Sequence, residues 1–529
     1  MLQTIRAYGG MVSAPHHLAA QAGLRVLRDG GNAVEAMVAA AAAITVVYPH
    51  MNSLGGDNFW LLHAPGHPVK AIDACGAAAA AVNREFYRSQ GFDAIPSRGP
   101  LSALTVAGAV SGWQAALQAS SAMGGKMSLD RLFEDAIHYA DRGIPVTRNL
   151  AANVIGKRNE LEEVHGFAPV YLQGGSPVAE GARLKQPRIA ATLGRLAASG
   201  LDDFYRGDLA RSIAADLSRA GTPVSLDDLS RHKSVYVAPL SLAVAGHTIY
   251  NMPPPTQGLA SLLLLGIFER LGIEAAETAE YVHGLVEATK RAFRIRDSQI
   301  TDPAFMTTDP RQWLSESSLA SLAAEVDPTR AAPWPHREET GDTVWMGAID
   351  GEGRAVSFIQ SIYWEFGSGV ILDETGITWQ NRGTSFSLDP HDFNCLESGR
   401  RPFHTIQPAL AHLADGRVMA YGAMGGDGQP QTQAMIFSRY ALFDQDLQTA
   451  VTAPRWLLGR TWGDAVALLR IEDRFDSSVP RALSEFGHSV KIVDPFDEIM
   501  GHAGALVRHH DGLIEGAADP RSDGAAAGF

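Results

Sequence analysis

The stretch Gly341-Asp342-Thr343-Val344-Trp345-Met346-Gly347-Ala348-Ile349 decides how the rest of this chain is read. It follows a Pro- and charge-rich tract, Ala332-Pro333-Trp334-Pro335-His336-Arg337-Glu338-Glu339-Thr340, that reads as a loop. Residues 343–349 have a strand pattern, Asp350-Gly351-Glu352-Gly353 reads as a turn, and 355–363 reads as the returning strand. A cut between Asp342 and Thr343 would leave an N-terminal threonine at the edge of a sheet. Such a residue carries both a hydroxyl nucleophile and a base, since a free α-amine titrates near ~7.7–8.0 and can accept the hydroxyl proton. Thr also simply starts many strands. The motif needs support from elsewhere in the chain.

Support runs along nearly the whole sequence. Downstream of the hairpin come Phe366-Gly367-Ser368-Gly369-Val370, Thr375-Gly376-Ile377, Arg401-Pro402 with Pro408, Met424-Gly425-Gly426-Asp427 and the terminal Asp519-Pro520-Arg521-Ser522 with Gly528. Upstream are Gly9-Gly10-Met11-Val12-Ser13, the apolar run Ala39 to Val47, Gly55-Gly56-Asp57 and Gly108-Ala109-Val110-Ser111-Gly112-Trp113. In order and spacing these resemble the γ-glutamyltranspeptidase family, whose members are N-terminal-nucleophile hydrolases that cut themselves into two subunits. The resemblance implies an α+β fold, a four-layer αββα sandwich. It implies a large subunit, 1–342, and a small subunit, 343–529, cleaved between Asp342 and Thr343 and forming one compact body. Thr343 matches the family's nucleophile, and Ser361 the hydroxyl that supports its amine. Gly425 and Gly426 match the glycine pair of the oxyanion hole, where backbone N–H groups can crowd a developing charge because no side chain intrudes.

The departures bear on substrate. Cys75 stands where the family's arginine for a γ-glutamyl α-carboxylate is expected, and Ser385 where its aspartate holds the α-amino group. Tyr363 replaces an asparagine, Arg382 a glutamine, and His404 with Thr405 a pair of serines; the segment between Phe386 and Pro402 is shorter than the family's lid. Losing a carboxylate clamp and an ammonium anchor should cost several kcal/mol of γ-glutamyl recognition. The remaining set, Arg382, His404 and Thr405 with Tyr363 and Asn381 beside them, suits a small anionic amide, with Arg382 able to grip a planar carboxylate. The phrasing Tyr48-Pro49-His50-Met51, Ser361-Ile362-Tyr363, Phe403-His404-Thr405 and Gly428-Gln429-Pro430-Gln431 is similar to that of family members acting on oxamate. Oxamate hydrolysis to oxalate and ammonia is therefore the expected activity. A γ-glutamyltransferase or glutathione hydrolase, a glutaryl- or cephalosporin-type acylase, and an unprocessed scaffold that kept the fold are the alternatives.

Composition agrees with a globular enzyme: 46% hydrophobic and 19% charged residues. A net charge of −14 disfavours nucleic-acid and anionic-membrane partners, and it means that attraction for an anionic substrate must be local. Two cysteines, Cys75 and Cys395, are too few for a disulfide framework. Residues 1–8 lack the apolar core of a signal peptide, so a cytoplasmic protein is expected. No Gly-x-Ser-x-Gly, Walker or His-Glu-x-x-His motif occurs, and neither a metal nor an organic cofactor is expected. The pairs His16-His17 and His509-His510 read as surface residues. The expected partners are the substrate and the two subunits of one precursor, with a dimer of heterodimers as the larger assembly.

Helical spacing predicts helices over 16–27, 33–47, 129–140, 188–198, 209–220, 261–271 and 279–296. Strands are expected at 59–63, 69–72, 343–349, 355–363, 417–421, 489–493 and 503–509, and Pro253-Pro254-Pro255-Thr256-Gln257-Gly258 reads as a rigid turn. Thr343 is expected at the end of a central strand.

Overall fold

The structure is a computed structural model that describes residues 2–334, 342–459 and 468–529. The Pro335–Gly341 part of the tract before Thr343 lies outside the described residues. The hairpin expected at 343–363 is present as strands Asp342–Asp350 and Ala355–Tyr363, joined by a turn in which Gly353 N–H donates to the Asp350 carbonyl (3.0 Å). Successive side chains of a strand face opposite ways, and every residue of Ala355–Tyr363 is buried, so both faces are covered.

What covers them is a second sheet on one side and helices on the other. Strand Asp342–Asp350 and its partner lie in the middle of a seven-stranded sheet with strands Gly10–Ala14, Asp57–His63, Lys70–Ala74, Val235–Val237 and Ala525–Gly528. A second seven-stranded sheet contains Ile5–Ala7, Leu240–Val244, His247–Asn251, Ala409–His412, Val418–Ala423, Ala503–Arg508 and Ile514–Ala518. Phe59, Leu61, Ile359, Ile406 and Leu410 pack between the sheets, whereas Trp60, Leu62, Val344 and Met346 face the helices His17–Arg28 and Ala33–Val47. Helices Gly258–Glu269, Ala279–Gln299 and Gly428–Phe437 cover the far face of the second sheet. The four layers are therefore αββα, as expected.

Helix Ala33–Val47 is apolar all round and wholly buried, as its Ala-rich run requires. Its entry is fixed by a capping box: Asn32 accepts from Glu35 N–H while the Glu35 carboxylate accepts from Asn32 N–H. Among the described residues no helix is long and apolar enough to cross a membrane.

One expectation is corrected. His16 is not a surface residue but fully buried, because its Nδ1 caps the helix Leu18 enters and its ring packs on His17 and Tyr48. The terminal motif also acquires a physical role. Asp519 and Arg521 form a buried network with Arg455 and Glu472, at 2.7 Å for Arg455–Asp519 and 2.6 Å for Arg521–Glu472, which ties the chain end to the strands Trp456–Leu458 and Leu469–Glu472.

Candidate active site

The Asp342–Asp350 strand is irregular where it begins. Asp342 pairs with Tyr363 and Val344 with Gln360, so one extra residue of the partner strand bulges out opposite Thr343. The bulge ends at Tyr363, whose φ of 81° puts a bulky residue in the left-handed region. Such strain costs of order 1–3 kcal/mol and persists only where the surroundings over-determine it. Here they do. The Ser361 hydroxyl accepts from Tyr363 N–H (2.8 Å), Asn381 N–H donates to the Ile362 carbonyl (3.2 Å), and Asn381 Oδ1 accepts from Trp364 N–H (3.2 Å). Asn381 is in turn anchored through Nδ2 to the Ser97 carbonyl (3.0 Å).

Arg382 follows Asn381 and lies flat over the Tyr363 ring, 3.6 Å from guanidinium carbon to ring centroid. Thr343, Ser361, Tyr363, Asn381 and Arg382 are thus gathered at one end of one hairpin, all buried. The strand Asp57–His63 flanks that end on the other side, with Asp57 in register with Ser361.

His404 and Thr405 reach the site from the linker to the second sheet. His404 N–H donates to the Pro255 carbonyl and its own carbonyl accepts from Gln257 N–H, both at 2.9 Å, so the Pro-rich turn read from the sequence serves as its mount. The imidazole packs edge-on against Phe59, with Nε2 3.6 Å from Asp57 Oδ2. Burial, with the charges of Arg382 and Arg401, holds His404 well below the ordinary imidazole range, so it is neutral. Burial drives Asp57 the other way, up to about 7, against the opposing amides of Gly108 and Gly76, the Arg382 charge and the nearby Gln380 side chain.

Gly425 and Gly426 have φ of 116° and 50°, angles that a β-carbon would strain, and they lead directly into helix Gly428–Phe437. Gln257 was read only as part of a turn, yet its side-chain NH2 donates to both the Thr405 and the Gly426 carbonyls. Arg296 holds that amide through its Oε1 (2.8 Å) and ion-pairs with Asp427 (2.6 Å). Neither Gln257 nor Arg296 carries a recognisable signal in one sequence, because Gln257 acts through the backbone of distant segments and Arg296 through the side chains of Gln257 and Asp427.

Cys75 stands apart from a charged role. It is buried, its thiol is pushed well up by burial and by Asp73, and it borders a cavity of about 590 Å³ shared with Asp302 and Arg401. Arg401 pairs with Asp73 (2.7 Å) and Asp302 (3.1 Å). Ser385, expected where the family has an ammonium anchor, donates to the Phe403 carbonyl (3.2 Å). Away from this site, the ligand atoms of His283, Glu287 and His488 lie within 4.8 Å of one another. Glu287 is already matched by Lys290 and Arg291, so the cluster is a charge-satisfied clamp that also binds the Ala332 backbone.

Comparison with known proteins agrees with this geometry. A family model described as gamma-glutamyltranspeptidase matches residues 19–529. The chain is 53% identical to an oxamate amidohydrolase proenzyme from Klebsiella pneumoniae subsp. pneumoniae, over 98% of both chains. It is 40% identical to a glutathione hydrolase-like YwrD proenzyme from Bacillus subtilis, again over 98% of both. Among solved structures, a cephalosporin acylase from Bacillus halodurans superposes with a TM-score of 0.91 at 31% identity, covering 100% of this chain and 97% of that one.

Proposed function

Since the chain belongs to the γ-glutamyltranspeptidase family and is a hydrolase of amide bonds, we propose that it is a self-processing N-terminal-threonine amidohydrolase that converts oxamate to oxalate and ammonia. The observation that carries this reading is the bulged strand end, where Thr343 shares one buried corner with Ser361, Tyr363 and Arg382. Oxamate is one amide joined directly to one carboxylate, so it needs an acylation site and an anion site almost in contact. Arg382 on the Tyr363 ring supplies a planar cation there, while Cys75 and Ser385 remove the charges that a γ-glutamyl group requires. The Klebsiella relative named for oxamate supports the same substrate.

The chemistry follows in two stages. In processing, the Thr343 hydroxyl attacks the Asp342 carbonyl, the peptide shifts from nitrogen to oxygen, and water hydrolyses the ester to give chains 1–342 and 343–529. Thr343 is only 1% exposed in the continuous chain, which fits substrate entry only after that cut. In turnover, the freed amine takes the hydroxyl proton and the hydroxyl oxygen attacks the amide carbon. Gly425 and Gly426 N–H groups hold the oxyanion, the leaving nitrogen departs as ammonia, and water cleaves the acyl-threonine ester. Ser361, through its bond to Tyr363 N–H, keeps the bulge in the shape that presents Thr343. Both cysteines are free thiols, in keeping with the cytoplasmic location that we also propose.

The test is mass spectrometry of the purified protein with ammonia release from oxamate. Wild type should appear as two chains split before Thr343 and release ammonia; Thr343→Ala should stay whole and release none. A split wild type inert on oxamate, but active on a glutaryl amide, would move the assignment to the acylase branch.

A further inference from the structure

Gln360 belongs to no motif of the sequence, and the hydrolysis mechanism gives it no task. It is the last regular position of its strand before the bulge, in register with Val344 on one side and with Asn58 on the other. Its amide is the centre of a buried network. Nε2 donates to Asn52 Oδ1 (2.9 Å), while Oε1 accepts from Asn58 Nδ2 and from the Trp113 indole N–H, both at 3.1 Å. Asn52 Nδ2 donates to the Ile44 (3.2 Å) and Tyr48 (2.9 Å) carbonyls at the end of helix Ala33–Val47. Asn58 Nδ2 also donates to the Ala109 carbonyl (2.9 Å) at the start of helix Ala109–Ala122, and its Oδ1 accepts from the Trp60 indole (2.9 Å). All five side chains are fully buried, and every polar atom they carry is used.

Such a network tolerates only one register. Side chains alternate along a strand, so Phe358 and Gln360 face the helices while Ile359 lies between the sheets. A slip by one residue would send the Gln360 amide into the apolar layer of Phe59, Leu61 and Ile406, and would leave Asn52, Asn58 and Trp113 each short of a hydrogen bond. Buried polar groups left unsatisfied are costly, so the slip is disfavoured from both ends. In an unbulged ladder continuing from the Val344–Gln360 pair, Thr343 would face Ser361 and Asp342 would face Ile362. The observed pair is Asp342 with Tyr363, so the extra residue is inserted immediately beyond Gln360. The network fixes where the regular ladder stops, and the bulge begins there.

We propose that Gln360 is a positioning residue for self-cleavage, its amide network fixing the hairpin register that sets the bulge opposite Thr343. Gln360 acts through the strand and not on the reacting atoms. Its partners Asn52, Asn58 and Trp113 all precede the Asp342–Thr343 bond by more than two hundred residues. The hairpin therefore reaches its cutting geometry only after the helices Ala33–Val47 and Ala109–Ala122 have packed against it, which ties cleavage to folding of the N-terminal part. This inference rests on the self-processing reading of Thr343.

The experiment is cell-free synthesis of the full chain with a short radiolabel pulse, its conversion to two chains being followed on a denaturing gel. Gln360→Met keeps the length of the side chain but removes the amide; it should convert roughly tenfold or more slowly than wild type, the scale of leaving buried amide groups unsatisfied. Trp113→Phe deletes one donor and keeps a ring, and should convert at an intermediate rate. Leu285→Ala removes core volume from the helix layer beyond the second sheet and is the stability control: it should lower Tm yet convert at the wild-type rate. Conversion of Gln360→Met as fast as wild type overturns the inference. So does an equal slowing in Leu285→Ala, which would make the effect one of stability alone. If Gln360→Met does not fold, Trp113→Phe against Leu285→Ala decides by the same comparison. A wild type that stays whole sinks the self-cleavage reading and the inference together, whereas a wild type that splits no faster than Gln360→Met sinks only the inference.

Discussion

Arg382 shows how one side chain can be committed by its surroundings. Stacked on Tyr363 and buried, its guanidinium is pre-oriented, so little of its rotamer entropy is left to lose on binding a carboxylate. Arg382→Lys keeps the charge but loses the plane and the stack. Steady-state kinetics on oxamate should show a KM higher by about 10–100-fold, the size expected for losing a charge-assisted, two-pronged contact of ~1.5–3 kcal/mol. Processing before Thr343 should persist, because the proposed role of Arg382 is to hold the substrate carboxylate and the processing step does not use it. An unchanged KM would remove Arg382 from the anion site. Asn381 acts differently, through the backbone it pins on both sides of the bulge, so its substitution should slow processing and turnover together.

At the scale of elements, strand Asp342–Asp350 is held against the second sheet by Trp345. Its indole N–H donates to the Ser357 hydroxyl (3.0 Å), and its ring lies where two glycines of the facing sheet leave room. A β-carbon on Gly422 would come 2.2 Å from the ring, and one on Gly504 2.4 Å. Neither glycine has an unusual φ, so close approach alone demands them. Gly422→Ala should overpack the interface and cost about 1–3 kcal/mol, read as a lower Tm. Because Trp345 is two residues from Thr343, ammonia release should fall with it. A variant as stable as wild type would show that the sheets can part without cost. The same interface explains why the glycine pair was legible in part: Gly425-Gly426 reads as a Gly-rich turn, but only the helix that follows and Gln257 beneath it make that turn rigid.

For the whole molecule, burial of histidine sets the response to acid. His16, His50 and His488 are pushed down to about 3, and His63, His232 and His502 to about 4, in each case chiefly by loss of solvent. The unfolded chain binds these protons near the ordinary value of ~6.5, so the unfolded state takes up more protons below that pH. Stability is thus unaffected by them above about 6.5 and is lost as pH falls from there toward the folded values. Tm should drop between pH 7 and pH 5, before most carboxylates titrate; a flat Tm across that window would contradict it. Asp57 and Glu498 run oppositely, as Asp73 and Asp523 do in direction, since folded values raised to about 7 for the first two make stability fall as pH rises from the ordinary carboxyl range toward about 7.

Local order in this protein was written along the chain. The hairpin around Asp350–Gly353, the Ala-rich helix at 33–47 and the start of helix Ala279–Gln299 follow from periodicity and turn chemistry, which act over a few residues. The resemblance of spaced motifs carried the αββα layering and pointed to Thr343, because those motifs mark the strand ends that such a fold needs. The short strands Ile5–Ala7 and Ala525–Gly528 were not legible, as their pairing partners lie hundreds of residues away. Nor was the buried state of His16, which depends on what packs over it. The partnership of Asp57 with His404 and the bridge that Gln257 makes between Thr405 and Gly426 were decided by tertiary structure alone. Charge balance and hydrogen-bond satisfaction in a buried corner depend on which distant segments meet there, and local pattern contains no record of that meeting.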